Sequence, residues 1–335
     1  MIFNFNDKSF LNHFKLDNEY LETVKSYCHL GVTVSYTGNL SQTSKNLMEK
    51  GRKAWFKIKK TITLNNPCNL LEKLFDSLVV PIILYGSEVW GVGNKFRDSD
   101  PFEHLHLKFI KEILGVQCKT TNVACLAETN RTPLHLKIKL SAIKLLDHIV
   151  NSPNTLVNKI YINTEKNNKW VTTIKEWINK LGIGHLNFNT NNSKFYINSI
   201  QQRIQDQVKQ NMNSLINVCE KLKCFREIHR SGERPTYIDI CKLKSDRSLL
   251  SKFRLSAHSL AIEKCRFSNI ERQNRVCLSC DTGEVENEYH FFSTCPHYIS
   301  LRKTFLQKVK GILSTTIVIF SCPKLLSFSV LTFIK

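Results

Sequence analysis

The tightest constraint this sequence places on its own folding is a short run near the C-terminus. It reads Cys277-Leu-Ser-Cys280, nine intervening residues, His290, four more, then Cys295 and Pro296. Three thiolates with one imidazole make a closed tetrahedral set of the kind that holds structural zinc. The C-x2-C pair can wrap two sulfurs around one ion from a single tight turn. His290 and Cys295, five positions apart, lie roughly 140° out of phase on a regular helix. Both reach one ion only if a helix through Tyr289-His290-Phe291 breaks before the cysteine. Pro296 gives the reason, because the residue preceding a proline is pushed out of the helical region. The spacing predicts one structural zinc on Cys277, Cys280, His290 and Cys295, with folding of the surrounding module coupled to the metal. The alternative is four scattered members of a chain with Cys 12. Asp281, Glu284, Glu286 and Glu288 sit between the second and third ligands. Such a loop repels phosphate, so the zinc is read as a staple and not as a contact surface.

Charge points to a polyanionic partner. Lys+Arg 48 stand against Asp+Glu 28, a formal net charge of +20, an excess that suits nucleic acid or an anionic membrane surface. A basic globular protein without such a partner is the plainer alternative. The start, Met1-Ile-Phe-Asn-Phe-Asn-Asp-Lys, lacks the basic opening and unbroken apolar core of a secretory signal. An intracellular place, nucleus or cytoplasm, with reduced thiols is expected, and the clustered cysteines read as metal ligands. No run of about 18 apolar residues occurs, so no membrane span is expected; the tail 311–335 comes nearest but is split by Pro323 and Lys324.

Periodicity predicts a mainly α protein: a short N-terminal β remnant (1–40), a helical domain (41–150), a helical connector (151–215), a zinc-stabilised module (216–310) and an apolar tail (311–335). Ser26 to Ser35 reads as strand, ended by the turn Tyr36-Thr-Gly-Asn-Leu. Helices are expected over 41–62, 70–90 (kinked or divided at Pro81), 102–114 (stopped by Gly115), 121–128 and 133–150. The stretch 151–213, rich in Asn, Lys, Thr and Gln with Trp170 and Trp177 as anchors, looks weakly packed.

On the helix 41–62, Leu47, Met48, Gly51, Ala54, Trp55, Ile58 and Ile62 fall in one apolar arc of roughly 120°. Lys45, Lys50, Arg52, Lys53, Lys57, Lys59 and Lys60 take the opposite half, with Glu49 the one acid among them. Phe56 projects from the middle of that basic arc. An ordinary solvated face is one reading; a track whose lysines meet phosphates and whose phenyl ring stacks on a base or sugar of RNA or DNA, with little sequence preference, is the other.

Three strings, in order, resemble non-LTR (LINE-type, jockey-like) retrotransposon reverse transcriptases. Tyr27-Cys-His-Leu30-Gly31-Val32 resembles the strand that follows the polymerase core. Pro81-Ile-Ile-Leu-Tyr85-Gly86-Ser-Glu88-Val-Trp90-Gly91 is similar to a thumb-region string. Leu249-Leu-Ser-Lys-Phe-Arg254-Leu-Ser-Ala-His258, followed by the Cys/His set, Pro296 and Tyr298, is similar to the C-terminal zinc segment. The family's polymerases need paired carboxylates for two divalent ions, and no Asp-Asp pair occurs here. The resemblance therefore implies a palm remnant, a thumb-like domain and a zinc module: a catalytically incomplete piece of a transposable-element enzyme, truncated upstream, that grips template or primer without polymerase, endonuclease or RNase activity. Lys264-Cys265-Arg266 stands where the family tends to have Gly-Arg. The rival readings are a zinc-stapled scaffold that contacts protein, and a decayed relic without function.

Two further sets have plainer readings. Tyr85, Glu88 and Trp90 are expected to pack a helix end. Cys219, Cys224, His229 and Cys241 are expected to be buried hydrophobes more than a second metal site. His258 and Glu263 are expected to be packing groups in the zinc module.

Overall fold

The computed structural model, which describes residues 15–16, 19–20 and 24–313, apart from 39, 94–95, 154 and 185–192, is mainly helical. The strands are two small antiparallel hairpins, β1 (Lys15–Leu16) with β2 (Glu19–Tyr20), and β3 (Ser26–His29) with β4 (Val32–Ser35). Fifteen α-helices follow among the described residues: α1 (Ser41–Thr61), α2 (Cys68–Leu74), α3 (Val80–Ile83), α4 (Ser87–Trp90), α5 (Pro101–Leu114), α6 (Asn122–Glu128), α7 (His135–Val150), α8 (Leu156–Thr164), α9 (Lys169–Lys180), α10 (Ser193–Val218), α11 (Lys223–Ile228), α12 (Tyr237–Ile240), α13 (Lys244–Arg254), α14 (Ala261–Lys264) and α15 (Ile299–Leu313). They form two units, one of residues 1–62, 72–106 and 132–208, the other of 63–71, 107–131 and 209–335.

The expected strand 26–35 is a hairpin. His29 pairs with Val32, leaving a two-residue turn, and Leu30 (φ 47) and Gly31 (φ 84) both take positive φ. That is the turn whose twist matches the flanking strands. Glycine meets the demand without strain; a leucine beside it does not, and its β-forming side chain hid the turn. The expected helix 70–90 is divided. A wide turn at Phe75–Val79, where Val80 N–H donates to Phe75 O, precedes α3, with Pro81 in the first turn of α3. Widening the turn spares the clash between the proline ring and the carbonyl four residues back. Gly86 (φ 64) then restarts the helix as α4.

In the first unit, α1 buries Leu47, Met48, Gly51 and Trp55. Trp55 meets Phe75 edge-on at 5.8 Å. A Cβ on Gly51 would stand 2.1 Å from Ile83 Cγ2, so only hydrogen fits between α1 and α3 there. The segment read as a connector belongs to this unit's core. Val171, Ile174 and Ile178 of α9 and Ile197, Ile200 and Ile204 of α10 pack with Ala142, Ile143 and Leu146 of α7. Their three-and-four spacing is helical, but Asn, Lys and Gln between them dilute the composition. The boundaries at 150 and 215 thus differ from the packing. Glu103 is buried within the same unit and accepts the Leu134 N–H (2.8 Å) just ahead of α7. Burial pushes its carboxyl up to about 7.

The second unit is organised around Arg247 of α13, whose side chain is fully buried. Its guanidinium donates to the carbonyls of Ile113 (2.6 Å), Cys241 (2.8 Å) and Leu64 (2.8 Å). Those three carbonyls come from the unit's three separate chain segments. A buried acceptor left without a donor costs about 1–3 kcal/mol. Arg247→Met is therefore expected to destabilise this unit by on the order of 3 kcal/mol or more. The loss is read as faster amide hydrogen exchange in α13 and in 107–114, and Arg247→Lys should recover little of it.

Candidate metal centre

Two turns build the site. Val276 and Val285 form an antiparallel bridge, and Cys277 N–H donates to Glu284 O at 2.9 Å. This folds Cys277 and Cys280 onto one side of a loop turned by Gly283 at φ 67. On the other side, His290–Thr294 is a wide helical turn, with Cys295 N–H donating to His290 O at 2.8 Å. An i→i+5 bond brings residues five apart into register, which removes the 140° mismatch. Cys295 then leaves the helix at φ −56, ψ 120, ahead of Pro296.

All four ligand atoms of Cys277, Cys280, His290 and Cys295 lie within 4.8 Å of one another, close enough to hold a metal ion. The Cys277 and Cys295 sulfurs are 4.0 Å apart, and Cys280 Sγ is 3.4 Å from His290 Nε2. A tetrahedron with metal–sulfur bonds of about 2.3 Å and metal–nitrogen bonds of about 2.05 Å has S–S edges of about 3.8 Å and S–N edges of about 3.6 Å. These two edges match such a tetrahedron to within about 0.2 Å, and the four atoms together are close enough to hold an ion. Cys277, His290 and Cys295 are buried and Cys280 is half-buried.

Electrostatics prepare the ligands. His290 Nδ1 lies 2.7 Å from Glu284 Oε2, which fixes the proton on Nδ1 and leaves the Nε2 lone pair for a metal. Contact with the Thr282 hydroxyl, 3.1 Å from its sulfur, draws the Cys280 thiol down to about 6. Burial pushes the Cys277 thiol up to about 11, the penalty that a bound cation would offset by stabilising the thiolate.

The glutamates of this loop are tied into the fold. Glu284 orients His290; Glu286 Oε2 accepts the Ala261 N–H at the start of α14 (2.6 Å). Glu288 Oε1 takes the Ser256 hydroxyl and His258 Nε2, both at 3.0 Å. His258 thus pairs with Glu288, while Glu263 meets Lys221 and Arg266, each at 3.7 Å. Sequence reasoning missed these roles. The signal for Glu284 was there: a carboxylate six residues before the histidine, on the strand facing the first cysteine.

Elsewhere, Cys219, Cys224, His229 and Cys241 do not converge, and the Cys/His set above is the one metal-capable cluster among the described residues. Cys224 and Cys241 are buried and the His229 ring stacks on Phe225 at 4.6 Å. Trp90 is buried with its indole N–H on Tyr85 O (2.8 Å), closing a helix end. On α1, Lys45, Lys50, Arg52, Lys53, Lys57 and Lys60 are exposed, as is Phe56 at 56%. Lys60 Nζ sits 4.9 Å from the Phe56 ring, Glu49 pairs with Lys53 at 3.3 Å, and Lys59 turns back over Trp55 at 5.7 Å.

Comparison with family models, with curated proteins and with solved structures gives no match. Among the described residues no helix is long and apolar enough to cross a membrane.

Glu284→Gln, which keeps the shape but not the charge behind His290, is expected to weaken metal affinity about 10–100-fold. Competition with a chromogenic chelator measures it. Cys280→Ser should bring metal per chain, by atomic absorption, close to zero, and an unchanged content would reject the site.

Proposed function

We propose that this chain is a non-catalytic nucleic-acid-binding protein. Its C-terminal module is stapled by one zinc on Cys277, Cys280, His290 and Cys295, and it grips single strands with little sequence preference. The resemblance to the thumb and zinc segment of non-LTR retrotransposon reverse transcriptases supports the same reading: it implies a piece that keeps the grip and lacks the carboxylates of the chemistry.

The observation that carries the proposal is the exposed face of α1. Arg52, Lys53, Lys57 and Lys60 stand in solvent with a single paired acid among them, and Phe56 remains exposed at 56% with Lys60 against its ring. An exposed phenyl in a row of cations is unfavourable for a merely solvated face. It suits a strand whose phosphates meet the lysines while a base stacks. Zinc is favoured over other divalent ions by the three-thiolate donor set. One observation favours the protein-contacting scaffold instead: Leu156, Val157 and Ile160 of α8 are exposed at 73%, 54% and 51%.

A salt titration separates the two. Binding of a fluorescent single-stranded oligonucleotide should fall steeply with salt, and Arg52→Glu with Lys53→Glu should weaken it for every sequence and flatten the slope. Phe56→Ala should cost about 1–3 kcal/mol for single strands and much less for duplex. Parental affinity of the double variant at all salt concentrations would place the partner elsewhere or make it a protein.

A further inference from the structure

The basic face of α1 runs into a cavity. About 730 Å³ of space lies in the first unit, bordered by Ser44 and Lys45 of α1, Lys169, Trp170 and Thr173 of α9, and Asp100 ahead of α5. Ligand pockets span about 300–1,000 Å³, so this one has room for a nucleotide-sized molecule. Lys45 is seven residues before Arg52 and eleven before Phe56. At 100° per residue these three fall within an arc of about 40°. The stripe from Lys60 to Lys45 covers roughly 22 Å of helix, and its last cation is a cavity wall.

The lining has the chemistry of one unstacked nucleotide. Lys45 and Lys169 are exposed, and neither is held in an ion pair among the described residues. Trp90 and Phe102 form an edge-on pair at 6.3 Å in the apolar wall. The indole N–H groups are already used, that of Trp170 on Glu88 O and that of Trp90 on Tyr85 O, each at 2.8 Å. Trp90 and Phe102 are buried and back the wall, so what the half-buried Trp170 offers a ligand is ring surface, which a planar base accepts and inorganic phosphate does not. Asp100 is the one carboxylate in the lining. Its Oδ2 accepts the Arg97 N–H at 2.9 Å, and its charge turns phosphate toward the lysines while leaving an acceptor for a sugar hydroxyl or a base amino group.

Resting on the nucleic-acid reading above, we infer that this cavity binds a single nucleoside monophosphate unit, taken from the strand that lies along α1. The lysines hold the phosphate, Trp170 and the apolar wall take the base, and Asp100 meets the polar edge.

The test titrates the full chain with a nucleoside monophosphate, the matching nucleoside and inorganic phosphate, following tryptophan fluorescence and calorimetric heat. The monophosphate should quench fluorescence and bind at least tenfold more tightly than either part. Ser44→Phe, which fills the space, and the surface variant Lys169→Glu should each weaken it tenfold or more. Arg52→Glu with Lys53→Glu should leave monophosphate binding unchanged while weakening oligonucleotides. If the monophosphate binds no better than phosphate, or binds equally to both pocket variants, the pocket assignment is overturned even where oligonucleotides still bind along α1. If the monophosphate binds as described but oligonucleotides do not, the pocket stands and the strand-gripping function falls.

Discussion

One buried guanidinium holds the second unit to its fold. The cost of taking Arg247 out of water is met by main-chain carbonyls at Leu64, Ile113 and Cys241. Carbonyl partners differ from an acid in one respect. They are fixed to the backbone, so satisfying the arginine also fixes where three stretches of chain must lie. Around it the same economy recurs: buried Glu128 takes Arg254 at 2.5 Å and the Tyr237 hydroxyl at 2.7 Å. Buried polar groups with named partners thus sit among the apolar core of this unit, and the Cys/His set able to hold a metal ion follows them in sequence.

The Cys/His set was legible because ligand chemistry is local. Four residues within nineteen positions have few ways to meet, and the proline after Cys295 already indicated where the helix must open. The network around the ligands was not legible in the same way. Glu286 and Glu288 are bound by residues more than twenty positions earlier, Ala261, Ser256 and His258. No spacing rule links such partners, so acids that look like a repulsive loop in sequence become internal struts once the chain closes on itself.

Helix positions followed the same division between local and distant causes. The ends of α1 and α5 agree with the periodicity because glycine, proline and charge segregation act within a few residues. The hairpin at Leu30-Gly31 escaped notice because leucine rarely takes positive φ. The α9–α10 contribution to the first core escaped because it depends on α7, thirty to sixty residues away, to make its sparse isoleucines into a core. The tail 314–335 and most of the segment before residue 24 lie outside the described residues.

The division of the chain into segments has a consequence for its synthesis. The two units alternate along the sequence, 1–62, 63–71, 72–106, 107–131, 132–208 and 209–335. Residues 63–71 leave the ribosome long before Arg247, which later claims the Leu64 carbonyl. At 5–20 residues per second the interval is roughly ten to forty seconds. During it, the carbonyls of Leu64 and Ile113 lack the guanidinium that will take them, and residues 107–131 lack the C-terminal part of their unit. The second unit of such a chain closes only once its own C-terminal third has been made.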